Sequence, residues 1–261
     1  MLRPRIIPCL LMKNDEGLTK TYKFMNGKYV GDPINAVKIF NEKQADELMI
    51  LDIDATRLNY EPKFNLISKI SAECRMPLCY GGGIKNPKQA ERLIDMGVEK
   101  VAISSALIDN PSLIKEISSA VGSQSVVAVL DVKKNKGIFD RGYEVYAING
   151  TKKTGYSPVH LVEEFQENGV GEIVINSIDN DGVMSGYDIE LARNIKDIIK
   201  VPMTFLGGAA SINDFEELYK SIGLVGAAAG SLFVFKGKYK AVLINYPNPE
   251  EKFKICRNID I

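Results

Sequence analysis

Two pairs of glycines, Gly82-Gly83 and Gly207-Gly208, have the make-up of anion sites. Each is followed about 23 residues later by a second small pair, Ser104-Ser105 after the first and Gly230-Ser231 after the second. Glycine lets backbone approach a ligand closely, and the start of a helix offers unpaired N–H groups, so each set suits a phosphate. A lone Gly-Gly also ends strands and tightens turns. Two such sets point instead to one ligand with two similar ends, a bis-phosphorylated small molecule. Acidic pairs stand elsewhere: Asp52 with Asp54, and Asp179 with Asp181. They are possible oxygen ligands for a metal, but binding of substrate hydroxyls and capping of loops is the favoured role, and no metal site is expected.

Other chemistry is excluded by residue supply. His160 is the one histidine and falls on an expected helix after Pro158, so neither a catalytic triad nor a His-containing metal cluster is available. Cys9, Cys74, Cys79 and Cys256 show no CxxC or metal-ligand spacing, and four cysteines in 261 residues make no disulfide scaffold. No cofactor-binding sequence occurs, and none is expected to be needed. Lys+Arg and Asp+Glu balance at 33 each, which leaves no long-range field for a polyanion, so nucleic acid is not an expected partner. The longest apolar runs, Ile6–Met12 and Val225–Phe235, are too short to span a bilayer. Arg3 and Arg5 before the first run look briefly like a secretion signal. Lys13, Asp15 and Glu16 follow at once with no cleavage site, so a cytoplasmic protein is expected.

The elements that must position these residues alternate along the chain. Eight short runs read as strands: Arg5–Leu10, Glu47–Ile53, Met76–Tyr80, Lys100–Ser104, Ser125–Asp131, Glu172–Ser177, Val201–Leu206 and Leu224–Ala229. Amphipathic stretches lie between them, at Pro33–Gln44, Pro62–Cys74, Pro87–Met96, Pro111–Ala120, Pro158–Asn168, Asp188–Ile198 and Ser211–Lys220. Many open on Pro or on an Asn, Asp or Ser cap. A doubly wound sheet would carry a Gly-rich turn after its first strand, absent here, whereas eight βα units fit an α/β protein folded as a (β/α)8 TIM barrel. No linker interrupts the pattern, so residues 1–261 are expected to form a single domain.

The chain also repeats itself. Ile6–Gly17 lies over Val126–Gly137, Gly81-Gly82-Gly83-Ile84 recurs as Leu206-Gly207-Gly208-Ala209, and Ala102–Ala106 is echoed by Ala228–Leu232. These echoes divide the barrel into half-barrels at about residues 1–120 and 121–245. They place the two glycine sets on one face, related by an approximate twofold axis.

At these residues the sequence resembles the HisF family, the cyclase subunit of imidazole glycerol phosphate synthase, over essentially its whole length. The resemblance rests on Arg5-Ile6-Ile7-Pro8-Cys9-Leu10, Ala45-Asp46-Glu47-Leu48, Tyr80-Gly81-Gly82-Gly83-Ile84, Gly122-Ser123-Gln124 and the long segment Asn176–Asp188. It implies a barrel that binds a bis-phosphorylated ribulosyl nucleotide on its top face. It further implies a HisH-type glutaminase docked below, and ammonia passing along the axis. The family's two proton-handling aspartates end the first and fifth strands. Asp131 fills the second position, but the first is Leu11, which cannot titrate. Losing a positioned acid or base costs roughly 10²–10⁴ in rate. The substrate loop keeps Lys13, whereas the stretch from Asn14 to Lys20 departs from the family and is one residue longer. Lys13, Lys20, Asp52, Asp181 and Gly182 are the expected substrate-binding residues, and Asp15 is the one candidate for a relocated acid.

Arg5, Glu47, Lys100 and Glu172 match the alternating charges that ring the family's ammonia entrance. Charges there also simply close a barrel end. With the top-face acid replaced and all four gate positions filled, conduction is the better account. Glu99 and Gln124 are expected at the glutaminase interface. The leading expectation is a HisF-like subunit that activates a glutaminase and carries ammonia to a third amidotransferase protein, with cyclase activity weakened or lost. The sequence is similar to the subgroup that serves conversion of an N-acetyl sugar to an acetamidino sugar for surface polysaccharide. The alternative is an authentic cyclase of histidine biosynthesis. The related barrel isomerase of that pathway shares the repeat, but it needs no gated axis and it also uses an acid where Leu11 stands.

Overall fold

The computed structural model describes residues 4–14, 17–135 and 142–257. Asp15 and Glu16, together with the echoed Lys136 and Gly137, lie outside the described residues, as does the side chain of Cys256. Eight strands form the barrel: β1 (Arg5–Lys13), β2 (Leu48–Asp52), β3 (Leu78–Gly81), β4 (Lys100–Ile103), β5 (Val126–Lys134), β6 (Glu172–Ser177), β7 (Met203–Leu206) and β8 (Gly226–Ala229). Each pairs in parallel with the next, and β8 returns to β1 with Arg5 opposite Gly226 and Pro8 opposite Ala229, which closes the cylinder. The fold is a (β/α)8 barrel.

Helices α1 (Pro33–Glu42), α2 (Phe64–Glu73), α3 (Pro87–Asp95), α4 (Leu113–Val121), α5 (Pro158–Glu167), α6 (Ile189–Lys196), α7 (Ile212–Ile222) and α8 (Pro249–Arg257) surround it. Their starts are fixed locally. Asp32, Asn86, Ser157 and Asp188 each accept a hydrogen bond from a first-turn N–H, and Ser211 with Asp214 forms a capping box on α7.

Both faces of the barrel strands are buried, which is why they read as continuous apolar runs rather than alternating ones. Ile6, Leu10 and Met12 of β1 pack outward in the large core shared with the helices, while Ile7, Cys9 and Leu11 belong to a smaller cluster inside the cylinder. That inner cluster includes Met49, Cys79, Ala102, Val127, Val129, Val174, Leu206 and Ala228.

Three hairpins depart from the sequence expectation. Strands Gly17–Tyr22 and Met25–Gly31 pair antiparallel and extend β1, Tyr143–Ala147 extends β5, and Phe235–Lys236 pairs with Ala241–Val242. Helix α8 lies wholly beyond residue 245. Strand ends shift slightly: Glu47 sits just before β2, and Gln124 falls in a 3-10 turn, Ser123–Ser125, rather than at the start of β5. Among the described residues no helix is long and apolar enough to cross a membrane.

Candidate functional site

A cavity of about 470 Å³ opens at the C-terminal ends of the strands. Both glycine sets line it, Gly82, Gly83, Ser104 and Ser105 from the first and Gly207, Gly208, Gly230 and Ser231 from the second. Leu11, Lys20, Asp52, Asp131, Asp181 and Gly182 line it too. Lys13, half-buried at the end of β1, is not among the lining residues.

The two glycine turns are locally alike. The equivalent glycines Gly82 and Gly207 have φ of +127° and +101°, a region that favours glycine, and an added Cβ would lie 2.6 Å from the Asp52 carbonyl oxygen or 2.9 Å from that of Ser177. Their surroundings differ. At the first, Ser104 Oγ and Asp52 Oδ2 are buried without a hydrogen-bond partner, the condition expected of polar atoms that a ligand would satisfy. The other Asp52 oxygen accepts from Tyr60 Oη at 2.8 Å and from the N–H groups of Asp54 and Ala55. Ser105 Oγ is already committed to the Ile148 N–H at 2.9 Å. At the second, the buried Lys20 ammonium donates to the Cys9 carbonyl and fills the space beside Gly230 that a side chain would need. Burial lowers the Lys20 pKa, against the neighbouring Cys9 and Asp181.

Asp131 is buried at the end of β5, where one oxygen accepts from Asn176 Nδ2 at 2.9 Å. Burial pushes its carboxyl up to about 7, opposed by the Asn176 bond and helped by the Asp181 charge. A carboxyl poised near neutrality is suited to accept or donate a proton. Leu11 ends the inward face of β1 with 9% of its surface exposed and brings no second such group. Asp181 serves partly as a clasp. Its Oδ2 accepts from Thr21 Oγ1 at 2.6 Å and from the Phe24 N–H at 3.1 Å, while its carbonyl accepts from the Lys23 N–H at 2.8 Å. The hairpin is thereby drawn across to the loop after β6. Its turn residues Lys23 and Phe24 have φ of 51° and 63°, and these bonds hold that conformation. Thr21 and Phe24 join the cavity wall as a result.

At the opposite end of the cylinder the four expected charges meet in one ring. Arg5 forks onto Glu172, with Nη2 to Oε1 at 2.7 Å and Nη1 to Oε2 at 3.3 Å, and Nη1 also reaches Glu47 at 2.9 Å. Lys100 bridges Glu47 at 2.9 Å and Glu172 at 3.0 Å. Burial opposes the Glu172 charge, but Arg5, Lys100 and Thr204 overrule it and hold the carboxyl down at about 2. Burial likewise opposes the charges of Arg5 and Lys100, and their carboxylate partners prevail.

Two members of the ring were not foreseen. Thr204 Oγ1 donates to Glu172 at 2.7 Å and accepts from Arg5 Nη2 at 3.3 Å. Gly226 on β8 leaves the space that Arg5 fills, since a Cβ there would lie 2.0 Å from Thr204 Oγ1 and 3.0 Å from Arg5 Nη2. The lone polar residue in Met203-Thr204-Phe205-Leu206 was the available signal. Above the ring the axis is walled by aliphatic and sulfur side chains, with small residues at Ala102 and Ala228. Glu99 and Gln124 are exposed, one residue before β4 and two before β5, on the side of the ring.

His160 is exposed on α5 and stacks on Tyr156 at 5.3 Å. Asp54 pairs with Arg57 at 2.8 Å, and Asp179 accepts from the Lys134 N–H at 2.9 Å. Among the described residues, no three His, Cys, Asp or Glu side chains converge to hold a metal ion.

Comparison with known proteins gives consistent relatives. The family model described as histidine biosynthesis protein matches residues 5–240. A Vibrio vulnificus protein provisionally named imidazole glycerol phosphate synthase subunit hisF3 is 58% identical over 254 residues, 97% of this chain and 96% of its own. A Leptospira interrogans protein, provisionally named subunit HisF of the same synthase, is 55% identical over 97% of this chain and 98% of its own. The imidazole glycerol phosphate synthase subunit HisF of Alkaliphilus metalliredigens is 36% identical over 89% of this chain and 91% of its own.

Proposed function

The chain belongs to the HisF family, and we propose that it is a HisF-like subunit that docks a glutaminase on its floor and conducts ammonia to its top face, with cyclase activity weakened or lost. The observation that carries this reading is a contrast between the two ends. The ring of Arg5, Glu47, Lys100 and Glu172 is complete, whereas Leu11 stands where a second carboxyl would face the Asp131 side.

The physics of the axis supports conduction. An isolated ammonium ion is strongly disfavoured among apolar side chains, while neutral ammonia carries only a modest desolvation cost. A paired ring admits such a molecule when one ion pair parts, and it re-forms without leaving an uncompensated charge. Asp131 would take up the proton released by an attacking nitrogen only in the cyclase alternative below, where the acceptor is bound in this chain's own cavity. In this reading Glu99 and Gln124 contact the glutaminase. The acceptor is an N-acetyl sugar held by a third protein and converted to an acetamidino sugar for surface polysaccharide. Identity falls from 52–58% among provisionally named relatives to 35–36% among those named outright as HisF, which supports a separate branch.

The retained Asp131 and its cavity favour one alternative, an authentic cyclase of histidine biosynthesis. One assay separates the two: the family's ribulosyl nucleotide is supplied with ammonium salt and no glutaminase. The proposal expects turnover depressed by about 10² or more. Turnover at an ordinary cyclase rate would overturn it.

A further inference from the structure

The top face carries a second feature that neither the cavity nor the ring uses. Six of the eleven exposed large apolar side chains among the described residues lie on two hairpins: Tyr22, Met25 and Tyr29 on Met25–Gly31 and its partner strand, and Tyr239, Val242 and Leu243 on or beside Phe235–Val242. Tyr29 is 62% exposed and Tyr239 90%. The hairpins adjoin, since Lys28 Nζ donates to the Lys240 carbonyl at 3.1 Å and lies 5.1 Å from the Phe235 ring centre. The first is further fixed by the Asp181 clasp. Exposed apolar area that is concentrated marks an interaction surface, and the part held by the clasp has less ordering left to lose on binding.

Its charge is one-sided. Lys23, Lys28, Lys236, Lys238 and Lys240 sit on these segments, and neither 17–31 nor 235–243 holds a carboxylate, in a chain whose formal charge is zero. Aromatic and Met anchors ringed by lysines match a protein surface that is apolar at its centre and acidic at its rim. The position specifies the partner further. Lys20, Thr21 and Phe24 from the first hairpin line the cavity, as do Gly230 and Ser231 just before the second. A protein seated here stands over the mouth, at the opposite end from the ring.

We propose that these two hairpins form the docking surface for an acidic-faced enzyme that consumes the ammonia delivered at the mouth. The inference rests on the ammonia-conducting reading above and assigns that reading's third protein a surface. A glutaminase on the floor and this enzyme on the top would bind together without competing.

The test uses the full chain with its glutaminase in extract of the source cells, supplied with [amide-15N]glutamine. The quadruple variant Tyr29→Ala, Tyr239→Ala, Lys236→Glu, Lys238→Glu alters only exposed side chains and keeps the Lys28 contact. The proposal expects the wild-type chain to pass 15N into an organic product. The variant should give equal glutamate release but lose product labelling by about tenfold or more, the scale of losing interface anchors, with 15N appearing as free ammonium. Equal labelling by the variant would overturn the surface assignment and leave conduction standing. Glutamate release without any chain-dependent organic labelling in the wild type would overturn both. Phosphatidylglycerol vesicles supply the second arm: salt-sensitive binding by the wild type but not the variant, with product labelling unchanged, would assign the patch to a membrane and overturn the protein partner.

Discussion

The carboxyl of Asp131 gives the most direct physical test of the top site. Burial lifts it to about 7, against about 3.9 for an aspartate in an unfolded chain. Each pH unit of that gap is worth about 1.4 kcal/mol, so the folded protein's hold on this proton amounts to about 4 kcal/mol. The direction follows from proton binding. Below about pH 4 both states are protonated and the full contribution is present; between about 4 and 7 the unfolded chain releases its proton while the folded chain keeps it, and stability falls as pH rises. Asp131→Asn removes the titration while leaving Asp52 and Asp181 in place. The difference in unfolding free energy, wild type minus variant, should therefore decline by about 4 kcal/mol from pH 4 to pH 8. Urea unfolding across that range measures the difference, and a 13C-carboxyl titration of Asp131 locates its midpoint. A flat difference curve, or a midpoint near pH 4, would refute the account of Asp131 as a buried proton carrier.

Three further outcomes follow from the geometry. Leu11→Asp should raise ammonium-dependent cyclase turnover by about 10²-fold; no gain in a steady-state assay would shift the cause to the altered loop. Gly226→Ala should cost about 1–3 kcal/mol by overpacking, since its Cβ would meet Thr204 and Arg5. Adding Thr204→Ala should return part of that loss, so a strictly additive double-mutant cycle in thermal unfolding would contradict the contact. Asp181→Ala removes the bonds to Thr21 and Phe24 and should speed tryptic cleavage after Lys23 by about tenfold or more, given the worth of hydrogen bonds to a charged group. An unchanged cleavage rate would show that the hairpin is held by something else.

The barrel was legible because its strands are buried on both faces and its helices carry their own caps, so local runs such as Glu172–Ser177 and Pro158–Glu167 state their type without tertiary help. The glycine sets were legible for a similar reason, as the residue type itself permits the φ they adopt. The first hairpin carries no local cue at its true turn. Asn26-Gly27 is the usual sign of a tight turn, yet the chain reverses at Lys23-Phe24, where ordinary residues take positive φ because Asp181, far along the sequence, holds them there. Thr204 was marked only as a polar residue in an apolar strand and Gly226 not at all, because their importance lies in what β1 reaches across to them, and no window of β7 or β8 contains Arg5.

That reach has a consequence for how the molecule is made. The guanidinium at the base comes from the first strand of the barrel, and the notch receiving it lies on the eighth, with Tyr246 Oη adding a bond to the Ile6 carbonyl at 2.8 Å. A nascent or prematurely terminated chain has no notch and hence no finished base. Any subunit that recognises the sealed base would in effect be proofreading translation, and would turn away polypeptides that never reached their final turn.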